Sequence, residues 1–444
     1  MRLTGYPASA PARPSHGVRP IHRDAGISVI EECAPEPYRE HDARQYVDRD
    51  PEEYSPGQLQ VIEVDFRRDG RWIDFLSSHP DALIYHHPGW LSALEAEYRG
   101  KCIALACEAN DGSFEGILPL LSTRGFALPW GRNQVGRRLS SLPRTPLAGP
   151  LVTHRAALAA LLKAAVDRVM SRPGLQLELK TTLPGLDELV PELECIRWRD
   201  TYVRGLPAND DPDLRLNATG RRTTRSCELC EKCHARSFGN SRQNHQVRWA
   251  VNKARKQGLS IRGVASEHDL KHWYRLYLKV MRRNAVPPRP FRFFQHLWQQ
   301  LEPLGHMELV VADSGETGML SGSILLRFGH SVFWAFTGCN EDGFLHHAND
   351  LTLWHCLQES CSGGYSRFDL GEVAESHPEL AQFKAKWGTT LQPLYRYYFP
   401  PCRPSESVEE DLAHNRLAGY VGQVWRRLPL SVVAALGDWV FSYL

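Results

Sequence analysis

Residues 348–388 read ANDLTLWHCLQESCSGGYSRFDLGEVAESHPELAQFKAKWG. Leu353, Trp354, Leu357 and Cys361 recur at helical spacing, which predicts a helix over 350–361. Asn349 stands where an N-cap is expected. Residues 367–370 are a short apolar run that predicts a buried strand ending in Asp369-Leu370-Gly371. Ser376-His377-Pro378-Glu379 has the form of a capping box with proline in the first turn. The helix it opens would turn Leu380, Phe383 and Trp387 inward.

Working outward, residues 307–398 read as strand, turn, strand, strand, helix, strand, helix, strand. Strands are expected over 307–312 and 319–328 around Ser314-Gly315, then over 331–337 and 391–399. Two helices precede them. One follows Ser266-x-x-Asp269 and carries Leu270, Trp273, Tyr277 and Val280; the other spans 290–301. The first half has the same order. A strand (61–66) leads to helices at 71–77 and 88–98. Strands 102–108 and 114–122 meet at Asn110-Asp111-Gly112, a hairpin signal. Proline-broken extended pieces (139–152), a helix (154–170) and strands at 175–180 and 195–206 complete it. The shared order predicts two copies of one α/β fold, over residues 58–206 and 247–400. Residues 1–57, rich in proline and charge, are expected to be disordered. A polar insert (207–246) joins the halves. The tail (401–444) is amphipathic, with Val432, Val433, Leu436, Trp439, Val440 and Tyr443. It reads as a docked helix or as an interfacial membrane helix with Trp425, Arg426 and Arg427 at the headgroups.

Of the 444 residues 42% are apolar, which is ample for large cores, and the net charge of +2 singles out no polyanionic partner. Local basic runs carry any such role. No apolar run reaches the ~20 residues of a membrane span. Eleven scattered cysteines and no export signal at the N-terminus predict cytoplasmic thiols, on a protein free in the cytoplasm or peripheral on the inner membrane face. Cys227-x-x-Cys230-x-x-Cys233-His234 has metal-like spacing, but Cys233 and His234 are adjacent and no second cysteine pair follows, so it equally reads as a plain insertion. No phosphate-binding loop, dinucleotide fingerprint or nucleophile triad is present.

RWAVNKARKQGLSI (248–261), HANDLTLW (347–354), FDLG (368–371) and FKAKWG (383–388) resemble the FemAB-type members of the GNAT acyltransferase superfamily. Nearest in look are the Fem-related proteins of exopolysaccharide and exosortase gene neighbourhoods and the acetyltransferases tied to cellulose synthesis. HPGWLSALEAEY (87–98), GILPLL (116–121) and SLPRTPLAGPLV (141–152) resemble their first half. The resemblance implies two tandem GNAT-like (acyl-CoA N-acyltransferase) domains with mixed central sheets. It also implies a splay between the strands at 331–337 and 367–370, in which an acyl donor lies. Thr337, Gly338, Asn349 and Asp350 would then face the donor, and Lys384 would stabilise the oxyanion of acyl transfer. Asp369 reads as a proton acceptor or as a turn aspartate, with Glu372 and Asp350 as lesser carboxylates. Lys384 could equally be a solvated helix lysine. Arg248, Lys253, Arg255 and Lys256 form a basic helix face, for an acceptor's phosphates, for tRNA or simply for water. Arg124, Arg132, Arg137 and Arg138 could hold an anionic acceptor. His346-His347 and His86-His87 read as loop pairs before general bases.

The loop Gly343-Phe344-Leu345-His346-His347-Ala348-Asn349 departs from the glycine-rich pyrophosphate cradle of CoA-dependent GNAT enzymes. No bound cofactor is expected; acetyl-CoA and aminoacyl-tRNA both stand as co-substrates. The function this implies is transfer of an acetyl or aminoacyl group to an amine of a cell-envelope or exopolysaccharide precursor, saccharide or peptide. The alternatives are a non-catalytic scaffold of the same fold in polysaccharide assembly at the membrane surface, and a metal or redox sensor centred on the insert.

Overall fold

The computed structural model describes residues 59–124, 137–206, 241–264, 266–315, 318–401 and 416–441. The segment expected to be disordered, Arg132 and the insert residues Cys227, Cys230, Cys233 and His234 lie outside them.

The first half runs β1 (Leu59–Val64), α1 (Gly70–Ser78), α2 (Pro88–Tyr98), β2 (Cys102–Ala109), β3 (Phe114–Thr123), β4 (Arg137–Ser140), β5 (Leu151–Val152), α3 (Arg155–Met170), β6 (Leu175–Thr181), α4 (Leu186–Leu189) and β7 (Glu194–Gly205). The second runs α5 (Ser241–Lys256), β8 (Leu259–Val264), α6 (Glu267–Arg283), α7 (Phe291–Leu301), β9 (Met307–Ser314), β10 (Gly318–Phe328), β11 (Ser331–Cys339), α8 (Glu341–Leu345), α9 (Ala348–Ser362), β12 (Arg367–Glu372), α10 (Pro378–Ala385) and β13 (Thr390–Phe399). α11 (Arg416–Arg427) and α12 (Leu430–Phe441) follow. The expected hairpins, the paired helices and the crossover helices before β6 and β12 are all present. The correspondence of the halves makes this a tandem α/β fold with a helical tail, in the order that the resemblance implies.

All thirteen described strands join one mixed sheet, in the order β1-β2-β3-β4-β6-β13-β7-β12-β11-β10-β9-β8, with β5 beside β3. Pairing is antiparallel except between β4 and β6 and between β11 and β12. The halves exchange their last strands. β13, from the second half, lies between β6 and β7, and β7, from the first, lies between β13 and β12. Periodicity cannot reveal this, because an exchanged strand alternates as an unexchanged one would.

The cores follow the exchange. Trp72, Trp90 and Leu94 of the first half pack in one core with Trp273, Phe293, Phe294 and Leu297 of the second. Two further cores lie beneath α3 and beneath α5 and α9, and Tyr397 of β13 completes the first-half one. Across the shared core Glu97 of α2 pairs with Arg289, and both are almost wholly buried. Arg289 Nη2 also donates to Arg144 O (2.6 Å), and Arg292 Nη2 donates to Glu97 O (2.8 Å). Burial pushes the Glu97 carboxyl up, and Arg289, Arg144 and Arg292 oppose it.

Two outcomes follow from one sheet and one shared core. The full chain should unfold in a single cooperative transition, seen alike by far-ultraviolet dichroism and tryptophan fluorescence; two separated transitions would contradict the exchange. Glu97→Ala, which leaves a buried guanidinium unpaired, should cost about 3–5 kcal/mol in a denaturant titration.

Candidate active site

β11 and β12 run parallel for three residues only: Ser331, Val332 and Phe333 face Arg367, Phe368 and Asp369. β11 then continues to Cys339 along β10, while β12 continues to Glu372 along β7. Where their pairing stops, burial changes. Ser331–Phe333 are buried, whereas residues 334–337 are half-buried. The strands therefore diverge, and the edge of β11 that faces β12 carries no ladder bonds from Trp334 onward among the described residues. Such freed N–H and C=O groups can bind the amide or carbonyl of a ligand. Gly338, at the far end, lets α6 approach, since a Cβ there would lie 2.7 Å from Tyr277 N. Thr337 Oγ1 sits 3.3 Å from Ser323 Oγ.

β12 ends in a bulge. Its register against β7 shifts between Asp369 and Glu372, and Gly371 takes φ 81°, a conformation that favours glycine. Asp369 fixes the bend. Its Oδ1 accepts from Gly371 N (2.7 Å) and Thr201 Oγ1 (2.6 Å), and its Oδ2 accepts from Arg367 Nη2 (3.0 Å). The turn-aspartate reading describes this geometry, with both carboxylate oxygens engaged.

The bend turns two carbonyls toward α10. Lys384 Nζ donates to Gly371 O (2.9 Å) and Glu372 O (3.1 Å), and the residue is only 7% exposed. It is not a solvated helix lysine. Burial pulls its pKa down to about 8, and the Asp369 and Glu372 charges oppose the fall. An ammonium has three N–H groups, so one is left after these two bonds. The inward stripe differs from the expected one. Trp387 is fully buried, but Leu380 stands 43% exposed, and the stripe's place is taken by Lys384. Two buried polar atoms beside the gap have no partner: Trp334 Nε1, a donor, and Glu372 Oε2, an acceptor. Glu372 Oε1 is 3.5 Å from Arg199 Nη1, and the Trp334 ring lies 6.1 Å from Phe383 of α10.

The start of α9 departs from expectation. The N-cap is His347, in the left-handed region (φ 57°), and Asn349 lies inside the first turn with Ser321 Oγ donating to it. Asp350, in the same turn, is paired with Lys386, the C-cap of α10, and lies 3.6 Å from His347 Nδ1. His347 Nε2 is in turn 3.5 Å from Lys253 Nζ, and its ring packs edge-on against Trp249. Ser376 likewise is not the cap of α10; His377 is, and it makes no side-chain cap bond.

Of the basic helix, Val247, Ala250, Val251 and Ala254 are buried, while Arg248, Arg255 and Lys256 are exposed. Lys253 is half-buried and turns toward α9. The first-half counterpart of the gap is closed by its own chain. Ser141 N donates to Glu178 O (2.8 Å), Lys180 N to Ser141 Oγ (2.8 Å) and Lys180 Nζ to Leu142 O (3.1 Å). His86 Nε2 meets Gly149 O there (3.1 Å), and burial pushes its pKa down to about 4, so it packs rather than titrates. His87 Nδ1 accepts from Gly89 N (3.0 Å) as the cap of α2. Arg124 and Arg137 are exposed.

Lys384, Asp369 and Thr337 are thus brought to one gap, Asn349 and Asp350 to the helix start beyond it, and the basic helix beside that start. Trp334 and Lys386 escaped the sequence reading. Lys386 was visible as the second lysine of FKAKWG; nothing in the sequence distinguishes Trp334 from other strand aromatics. No group of three or more His, Cys, Asp or Glu suited to a metal occurs among the described residues.

Residues 241–384 match the acetyltransferase (GNAT) domain family model. No curated protein matches the chain. Among solved structures, FemX aligns over 77% of this chain and 98% of its own, at 15% identity and TM-score 0.54. A conserved protein of unknown function from Bacteroides thetaiotaomicron aligns over 77% and 99%, at 10% identity and TM-score 0.49. The C-terminal domain of a putative lysylphosphatidylglycerol synthetase from Agrobacterium fabrum aligns over 75% and 91%, at 12% identity and TM-score 0.47. Of these three only FemX exceeds 0.5, and at that identity it speaks to the fold. Residues 241–384 thus match a GNAT acetyltransferase domain, and the fold of the chain is similar to that of FemX.

Proposed function

We propose that the chain transfers an aminoacyl group from aminoacyl-tRNA to an amine of a saccharide or peptide precursor of the cell envelope or an exopolysaccharide. The observation that carries this reading is the β11–β12 gap with the Lys384 ammonium held at its edge by two strand carbonyls.

The donor carbonyl lies in the gap, its oxygen toward Lys384 Nζ. The amine nitrogen attacks the carbonyl carbon, and negative charge builds on the oxygen. The remaining N–H of Lys384 meets that charge without reorganising, because its position is already fixed. As the intermediate collapses, the amide C–N bond is kept and the ester C–O bond breaks. The proton shed by the amine passes to the unpartnered Glu372 Oε2 and on to the departing ribose hydroxyl. Asp369, with both oxygens engaged, acts as a positioning residue.

The acidic loop favours an aminoacyl ester over a CoA thioester. Glu341 and Asp342 open α8, and Asp350 sits in the first turn of α9. A pyrophosphate there would meet the two exposed carboxylates of α8, and the helix dipole is already met by Asp350, itself paired with Lys386. The exposed Arg248, Arg255 and Lys256, with Trp249 52% exposed among them, suit the phosphates and a stacked base of an RNA end.

Product formation with charged tRNA, and not with acetyl-CoA, is the expected result by mass spectrometry with an amine-bearing precursor. Binding of donor without product would instead fit the scaffold reading. Lys384→Ala should lower kcat by about 10²- to 10³-fold with the melting temperature retained. The protonated lysine is the active form, so activity should fall as pH rises through about 8. Lys384→Arg, which keeps its charge, should lose that limb.

A further inference from the structure

We propose that the face built from α6, α11 and α12 docks on the surface of an anionic lipid bilayer. Lys271, Arg275, Lys279 and Arg283 stand one helical turn apart on α6, all exposed, and form a single row. No acidic residue occurs from 270 to 301 or from 416 to 437. Of the carboxylates at the row's borders, Glu267 is paired with Lys271 (3.3 Å), Asp269 with Arg262 (3.3 Å) and Asp438 with Arg292, while Glu341 and Asp342 of α8 stay exposed near its far end. α11 and α12 are fixed to α6 alongside this row. Arg282 Nη1 donates to Leu428 O (3.2 Å) and Arg426 Nε to Arg283 O (3.0 Å), while Val433 is fully buried. Gly437 lets α12 close on the chain, since a Cβ there would lie 2.6 Å from Pro288 O.

The docked helices keep an outer apolar side. Val424, Val432 and Trp439 remain exposed, Trp439 by 53%, as do Arg426 and Arg427. Between α6 and α12 runs a groove of about 470 Å³, bordered by Leu278, Phe291, Leu430 and Ala434 with Lys271 and Arg275. At the far end of the row Arg283 lies over the ring of Phe344, which is itself exposed together with Leu345. Cations interleaved with exposed tryptophan and aliphatic side chains match the boundary between anionic headgroups and acyl chains. A purely phosphate-binding surface would need the cations without the aliphatic neighbours. No described helix is long and apolar enough to cross a membrane, so the contact is one of lying on the surface.

The test is co-sedimentation of the full chain with vesicles of phosphatidylcholine alone or with about a third phosphatidylglycerol. Binding to the anionic vesicles, weakened by salt, is expected. Arg275→Glu with Lys279→Glu should lower the partition coefficient tenfold or more. Val432→Ser with Trp439→Ala should lower it severalfold while leaving its salt dependence. The substituted positions are exposed, and an unchanged melting temperature checks the fold. No vesicle binding, or equal binding to both vesicle types, would overturn the proposal. So would retention of a short RNA through the α6 row in the absence of vesicle binding, which would assign the row to nucleic acid.

Discussion

β12 parts from one of its neighbours partway along. It pairs with both β11 and β7 over Arg367–Asp369, and past its bulge it keeps only β7, a strand contributed by the other half of the chain. The rest of the architecture depends on that choice. The exchange of β7 and β13 makes one sheet of two GNAT-like units and fixes the shared core. The bulge frees the carbonyls of Gly371 and Glu372, and these hold a lysine ammonium at the edge of an open gap. Burying a charge is unfavourable unless it is well bonded. Here the two carbonyls, and the nearby Asp369 and Glu372 charges, make Lys384 tolerable at 7% exposure. In the first half the same strand pair is sealed by the 141–149 segment. The two copies have therefore diverged into one open and one closed version of the same gap.

Element types and order were legible because they rest on local signals. Asn110-Asp111-Gly112 marked its hairpin, and Ser266 caps α6 through its bond from Asp269 N (3.1 Å). The gap itself was legible only through the family resemblance of FDLG and FKAKWG. Three local readings failed, each because tertiary packing won over propensity. Asn349 is a better cap residue than His347, yet the chain turns at His347, which bridges Asp350 and Lys253. Ser376 is a better cap than His377, but its hydroxyl bonds the His377 ring instead (3.0 Å). Leu380 is more apolar than Lys384, yet only Lys384 finds the freed carbonyls. Strand exchange was invisible, since it pairs residues roughly 200 positions apart and leaves each strand's own pattern unchanged.

The basic residues divide by what surrounds them. Arg289 is buried with Glu97 and holds the halves together. Those of α5 border the gap's helix start and surround an exposed tryptophan. Those of α6 form a row beside exposed aliphatic residues. Net charge is close to zero, so the positive surfaces are local, and each suits a different partner.

The central claim is that the space between β11 and β12 is open and seats the donor. Amide hydrogen exchange with a non-hydrolysable aminoacyl-nucleotide analogue measures this most directly. In the free protein, amides of 331–333 should be protected, whereas those of 334–337 that face the gap should exchange fast. The analogue should slow the latter selectively, along with those of 370–372. Uniformly slow exchange along β11 in the free protein, or protection by the analogue confined to other elements, would contradict the account.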